Sequence, residues 1–190
     1  MSKVFFISDT HFSHRNILTY EPIRKDIFGV ETVEQMDEKI IKNWNSTVSN
    51  DDVVWFLGDF AMGSRNHVVE LGHKLNGHKY MIKGNHDIYP DQVYFDAGFE
   101  RVSRYPVILK KKFILSHAPM DDIDTGSFIN IFGHVHSKGN YEDKKDHFIC
   151  VCIERTDGKP ITLPVFDHAA AAPYYDRTVT ATATTKENNK

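Results

Sequence analysis

Lys83-Gly84-Asn85-His86-Asp87, entered from the apolar run Tyr80-Met81-Ile82 and left through Ile88-Tyr89-Pro90, is the most informative stretch of this chain. An apolar strand that stops at a glycine and then presents an amide, an imidazole and a carboxylate in succession sets polar groups at a strand end. Strand ends of that kind are where sites are built. Four other stretches repeat the arrangement. Val4-Phe5-Phe6-Ile7-Ser8 runs into Asp9-Thr10-His11, and Val53-Val54-Trp55-Phe56-Leu57 runs into Gly58-Asp59. Lys112-Phe113-Ile114-Leu115 runs into Ser116-His117, and Ile129-Asn130-Ile131-Phe132 runs into Gly133-His134-Val135-His136. Each run is short and apolar enough for a buried strand, and each ends in a side chain able to bind a hard or borderline metal. Five strands are thus expected to deliver ligands to one edge.

Outward from these strands, helices are signalled between them. Thr32 as N-cap with Gln35 three residues on forms a capping-box pattern, and Met36, Ile40, Ile41 and Trp44 follow on one face. Ser64 opens a second helix with Val68, Val69, Leu71 and Leu75 on its buried side, closed at Asn76-Gly77. His67, His73 and His78 read as surface residues of that region. Pro90-Asp91 starts a short helical piece that runs to Ala97 and ends at Gly98. Arg101 to Leu109 and Lys112 to Ser116 read as strands joined at Lys110-Lys111, and Phe148 to Glu154 with Ile161 to Phe166 reads as a hairpin. Met120 to Ser127 reads as a loop near the site; Asp121, Asp122 and Asp124 lack the glycine and distal glutamate of a calcium loop. Residues 169–190 have little to bury and read as a loose tail, leaving one domain over residues 1–168.

A chain of 190 residues is of ordinary single-domain size. Its 23 lysines and arginines nearly balance 26 aspartates and glutamates, so the charge does not indicate a nucleic-acid surface and argues against a processive nuclease. Met1-Ser2-Lys3 leads straight into a strand, with neither a secretory signal nor an apolar run that could cross a bilayer, so a soluble cytoplasmic protein is expected. Cys150 and Cys152 alternate on one strand and are expected reduced and packed. Oligomeric state is left open.

Gathered together, the candidate ligands are Asp9, His11, Asp59, Asn85, His117, His134 and His136, with His86 and Asp87 adjoining and His14 and Arg15 close to the first pair. Carboxylates, imidazoles and an amide, without a thiolate, suit manganese, iron, zinc, nickel or magnesium. Seven ligands are too many for one tetrahedral ion. They suit two ions sharing a carboxylate, a pair that can bind a phosphoryl group and bring a water towards hydroxide near neutral pH. Phosphoester hydrolysis is the natural reaction of such a pair.

With these blocks in hand the chain resembles the calcineurin-like metallophosphoesterases. Asp9-Thr10-His11, Gly58-Asp59, Gly84-Asn85-His86-Asp87, His117 and Gly133-His134-Val135-His136 match that family's motifs in order. It looks most like the small single-domain branch met in bacteria and phages, marked by Asp9-Thr10-His11-Phe12-Ser13-His14 and Asn43-Trp44-Asn45. The resemblance implies an α/β (α+β) fold, a four-layer αββα sandwich of two mixed sheets with the site at the strand ends. It implies two divalent metal ions, manganese foremost, one on Asp9, His11, Asp59 and His136 and the other on Asp59, Asn85, His117 and His134. It places His86 over the phosphate, with Asp87 orienting it or supporting its loop. From their place beside the first pair, His14 and Arg15 join Asn85 and His86 as candidate substrate contacts, with His14 otherwise holding a metal ligand from behind or being a loop histidine without a duty. A small phosphodiester or nucleotide is the substrate the resemblance favours, with a phosphomonoester or phosphoprotein as the alternative. A non-catalytic scaffold on the same fold should have lost ligands or replaced His86, and here none is missing.

Overall fold

Four apolar runs alternate with helices before residue 104, and in the computed structural model each feeds a parallel strand. The structure describes residues 2–121, 126–141 and 146–164. The expectations for Asp122, Asp124, the end of the run to Phe166 and the tail from residue 169 lie outside these residues. The first sheet holds β1 (Val4–Ile7), β2 (Val53–Phe56), β3 (His78–Ile82) and β4 (Phe99–Ser103), side by side in that order. Between β1 and β2 run α1 (Ile17–Tyr20), α2 (Ile23–Phe28) and α3 (Val33–Thr47); α4 (Arg65–His73) and α5 (Asp91–Asp96) make the next two crossovers. Parallel strands covered on both faces carry apolar side chains at every position, and β1 and β2 are buried throughout.

Alternation along these strands splits the core in two. Phe5, Ile7, Val54, Phe56 and Met81 pack with the helices, whereas Val4, Phe6, Val53, Trp55 and Ile82 pack against the second sheet. That sheet holds β5 (Val107–Leu109), β6 (Phe113–Leu115), β7 (Ile129–Phe132) and β8 (Phe148–Cys150), again in sequence order. It is mixed: β5 and β6 are antiparallel, and β7 pairs parallel with both β6 and β8. The sandwich of two sheets with helices is as expected. Among the described residues the α-helices all cover the first sheet, whose four strands are parallel and which takes its antiparallel contact from a bridge between Phe6 and Ile161.

Two expected strands are corrected. The run from Arg101 to Leu109 is broken at residues 104–106, and its halves enter different sheets as β4 and β5. Pro106 has no N–H to give a ladder, which makes this the natural place to leave one sheet for the other. The hairpin from Phe148 does not form over the described residues. β8 stops at Cys150, a 3-10 turn takes Ile153–Arg155, and Ile161 instead exchanges backbone hydrogen bonds of 2.8 and 3.0 Å with Phe6. Helix α4 also ends earlier than its expected close at Asn76-Gly77, capped at Lys74. Both cysteines are free thiols, as expected.

Helix α3 shows how local chemistry and packing combine. The Thr32 hydroxyl accepts from the Gln35 N–H and the Gln35 side chain accepts from the Thr32 N–H, so two donors otherwise left open at the helix start are satisfied. Met36, Ile40 and Trp44 form its buried stripe, and the Trp44 indole donates 3.0 Å to the Asn76 carbonyl. Trp44→Ala should lower unfolding free energy by about 3–5 kcal/mol through the cavity it leaves. Thr32→Ala should cost only about 1 kcal/mol. Urea unfolding of both variants checks the ranking; equal losses would mean that the stripe does not anchor this helix.

Candidate metal centre

Every candidate ligand stands just beyond the carboxyl end of a strand. Asp9 and His11 follow β1, Asp59 follows β2, Asn85 and His86 follow β3, His117 follows β6, and His134 and His136 follow β7. The loops after β1 and β2 stay in step, since the Asp9 N–H donates to the Gly58 carbonyl at 2.8 Å and the His11 N–H to the Asp59 carbonyl at 3.0 Å. The two sheets are joined at this edge: the His134 N–H donates 2.9 Å to Asp9 Oδ2, and His117 Nδ1 donates 2.8 Å to the Leu57 carbonyl.

The side chains gather in two nests. Asp9, His11 and His136 form one and Asp59, His117 and His134 the other, with the donor atoms in each within 4.8 Å of one another. Asp59 Oδ2 lies 3.5 Å from His11 Nε2 and 3.4 Å from His117 Nε2, so one carboxylate oxygen faces both nests. Its other oxygen is committed, accepting the His86 N–H at 2.8 Å. Asn85 Oδ1 is 3.0 Å from His117 Nε2 and joins the second nest. His86 is exposed at the mouth, its ring 5.2 Å from that of His11. The His14 ring is 5.5 Å from that of His11, and Arg15 is exposed on the same loop.

The donor set fits a pair of divalent ions. Asp9 Oδ1 and both ring nitrogens of His11 are buried without a hydrogen-bond partner, and buried polar atoms are rarely left so. The backbone makes room for them: a Cβ on Gly84 would lie 2.1 Å from Asp59 Oδ1, and one on Gly133 would lie 2.4 Å from Asp9 Oδ2. Burial pushes Asp9 up and holds His11 down to about 3, so a neutral His11 keeps one ring-nitrogen lone pair for a cation. Burial would also raise Asp59, but the His117 and His11 imidazoles and the His86 N–H bring it to about 2. For His117 burial is again outweighed, here by Asp59 and Asp9, and its pKa rises to about 9.

Sequence reasoning named Asp87 as a support of its loop and missed the other groups that hold these loops. Asp87 supports the loop rather than orienting the His86 ring: its Oδ2 accepts from Asp59 N–H at 2.7 Å and Gly84 N–H at 2.8 Å, and its Oδ1 from Phe60 N–H at 3.0 Å. Arg24 is wholly buried and donates to the carbonyls of Asp9 and Thr10. Arg155 donates to the carbonyls of His136, Lys138 and Gly139, and Glu21 accepts from Ser137, so the last ligand loop is gripped from two sides. His67 is not the surface residue expected. It is half-buried, 2.7 Å from the Ser13 hydroxyl, which in turn donates to Asp37. His73 and His78 are exposed, as expected.

A parallel sheet and a mixed sheet meeting at an edge lined with imidazole and carboxylate, with one oxygen common to two nests, define a class of metal-dependent phosphoesterases. The sequence profile described as calcineurin-like phosphoesterase matches residues 2–170, and the chain belongs to that family, whose members generally bind two divalent metals. It is 36% identical over 174 residues to an uncharacterized protein of Methanocaldococcus jannaschii, covering 86% of this chain and 88% of that one. It is also 37% identical over 90 residues to the gene 66 protein of Mycobacterium phage L5, a match covering 46% of this chain and 41% of the phage protein. Among solved structures, a protein of unknown function from Aquifex aeolicus superposes with a TM-score of 0.64 at 25% identity, covering 85% of this chain and 96% of that one. Among the described residues no helix is long and apolar enough to cross a membrane.

Two outcomes follow from the geometry. Gly84→Ala drives a methyl group into Asp59 and should abolish binding of both ions, as read by equilibrium dialysis with manganese; retained stoichiometry would show that Asp59 is not shared. Metal-free protein at pH 7 carries a proton on His117, whose raised pKa favours the charged form up to about 9. An ion entering the second nest must displace it. Binding should therefore release close to one proton per chain and weaken about tenfold for each pH unit below that value, measurable by calorimetry in buffers of different ionisation enthalpy. Heats that do not depend on the buffer would contradict this.

Proposed function

We propose that the chain is a two-metal hydrolase of phosphoesters, with manganese the preferred ion and a small phosphodiester or nucleotide the preferred substrate. The observation that carries this reading is the Asp59 oxygen facing both nests, beside an exposed His86. Two divalent ions bound there would supply the charge that draws phosphoryl oxygens and makes a water acidic enough to attack near neutral pH.

The chain's own residues do the rest. Asp9, His11, Asp59 and His136 would hold one ion, and Asp59, Asn85, His117 and His134 the other. Asp59 is pinned through its second oxygen to the His86 N–H, which ties the His86 loop to the carboxylate that would be shared. From the mouth the His86 imidazole can donate to a phosphoryl oxygen or protonate the leaving oxygen. Asp87 keeps that loop in place through three backbone N–H groups. On the open side His14 and Arg15 stand ready for a substrate phosphate, and the exposed Tyr20 ring, 5.9 Å from that of His14, offers a face to a nucleobase.

Manganese-supplemented protein should cleave bis-nitrophenyl phosphate faster than nitrophenyl phosphate and should turn over members of a nucleotide panel. Cleavage of the monoester alone would overturn the diester preference, and no turnover by fully loaded protein on any of these would overturn the hydrolase. His86→Ala should lower kcat by roughly 10²–10⁴-fold with both ions still bound. Unchanged turnover would remove its role.

A further inference from the structure

Glu154 and Arg24 lie outside the ligand set, 130 residues apart in sequence, yet both side chains are fully buried beside the first nest. Glu154 Oε1 is 2.9 Å from His136 Nδ1, accepts from Arg24 Nε at 2.7 Å and lies 2.6 Å from Arg24 Nη2. A carboxylate only accepts, so the proton of His136 sits on Nδ1 and the Nε2 lone pair points into the nest, 3.8 Å from Asp9 Oδ1. The same guanidinium donates to the Asp9 carbonyl at 2.6 Å and the Thr10 carbonyl at 2.9 Å, on the turn that presents Asp9 and His11. One buried ion pair therefore aims His136 and holds the turn that carries Asp9 and His11. The second nest is oriented otherwise, with His117 directed by the Leu57 carbonyl.

Stability alone does not call for such a pair, because a buried ion pair is commonly matched or bettered by apolar groups of similar volume. Orienting a metal-binding histidine does call for it, since the group bonded to the far ring nitrogen fixes the tautomer and aim of the near one. Building on the two-metal reading above, we propose that Glu154, held by Arg24, is a positioning residue that sets the tautomer and aim of His136 and so governs the first metal position selectively.

The test is manganese titration of metal-free protein by equilibrium dialysis and elemental analysis, with thermal unfolding in EDTA alongside. Glu154→Gln should leave one ion bound as in the wild type and weaken the other by roughly 10–100-fold. Arg24 would then be buried beside a neutral amide, so the double variant Arg24→Met, Glu154→Gln removes both charges. It leaves the Asp9 and Thr10 carbonyls without their donor, so metal-free melting should stay below the wild type while the second ion binds as in the wild type and the first weakly, and it decides the matter alone if the single variant does not fold. Isotherms that superimpose on the wild type would overturn the proposal, as would weakening of both ions in step with a drop in metal-free melting. Wild-type protein that binds two ions but cleaves no ester would end the hydrolase reading and leave this one standing. Unaltered binding in a variant of an active enzyme would end this one alone.

Discussion

Five of the residues whose side chains face one another across the site, Asp9, His11, Asp59, His134 and His136, have left-handed backbone, with φ between +49° and +72°. None is a glycine, and each such residue costs of order 1–3 kcal/mol unless its surroundings dictate the conformation. A left-handed residue just after a strand turns the chain sharply, which lets side chains two apart, such as Asp9 and His11, converge where a continued strand would carry them past the site. The whole centre rests on keeping those turns in place.

What keeps them is a set of charged groups bonded to backbone, Asp87 and Arg24 buried and Arg155 half-buried. Asp87 collects N–H groups from the β2 and β3 loops, Arg24 collects carbonyls from the β1 loop, and Arg155 collects carbonyls from the β7 loop. Each of these charged groups satisfies two or three backbone partners at once, and losing a partner of a buried charge costs more than a surface bond is worth. Burial pushes the Asp87 carboxyl up to about 6, and the N–H groups it accepts from oppose that rise. Behind them the sheets supply rigidity: the ligand loops are short extensions of strands whose side chains are packed on both faces.

The strands, the capping box and the ligand blocks were legible because each is written in adjacent residues: apolar runs ending in Asp, His or Asn, and Thr32 three residues before Gln35. Apart from Asp87, which stands beside His86 in sequence, the supports were not legible because they are long-range. Arg24 stands in Ile23-Arg24-Lys25-Asp26, which reads as any solvated helix face, and nothing local shows that its partner is Glu154. Glu154 reads as the end of a strand, whereas the chain turns after Cys150 to bring that carboxylate under His136. Pro106 was a usable sign of the break between β4 and β5. His67 resembled its exposed neighbours and is distinguished only by Ser13, brought to it from the β1 loop.

The placement of satisfied and unsatisfied groups says what the fold is organised to hold. Hydrogen bonds from Asp87, Arg24 and Arg155 run to the backbone and fix where the loops lie, while Asp9 Oδ1 and both His11 nitrogens are left without partners. Burial, with the neighbouring Asp59 carboxylate, raises the cost of ionising Asp9, and burial opposes charge on His11 and His134. A sequence under selection for stability alone would have paired or replaced these groups. Positive charge between the nests would offset these costs together: it would favour the ionised form of Asp9, engage the lone pair of each neutral imidazole and give the unpartnered Asp9 oxygen a partner. The side chains that make the metal-free fold costly are thus those that a pair of cations would turn into stabilising ones.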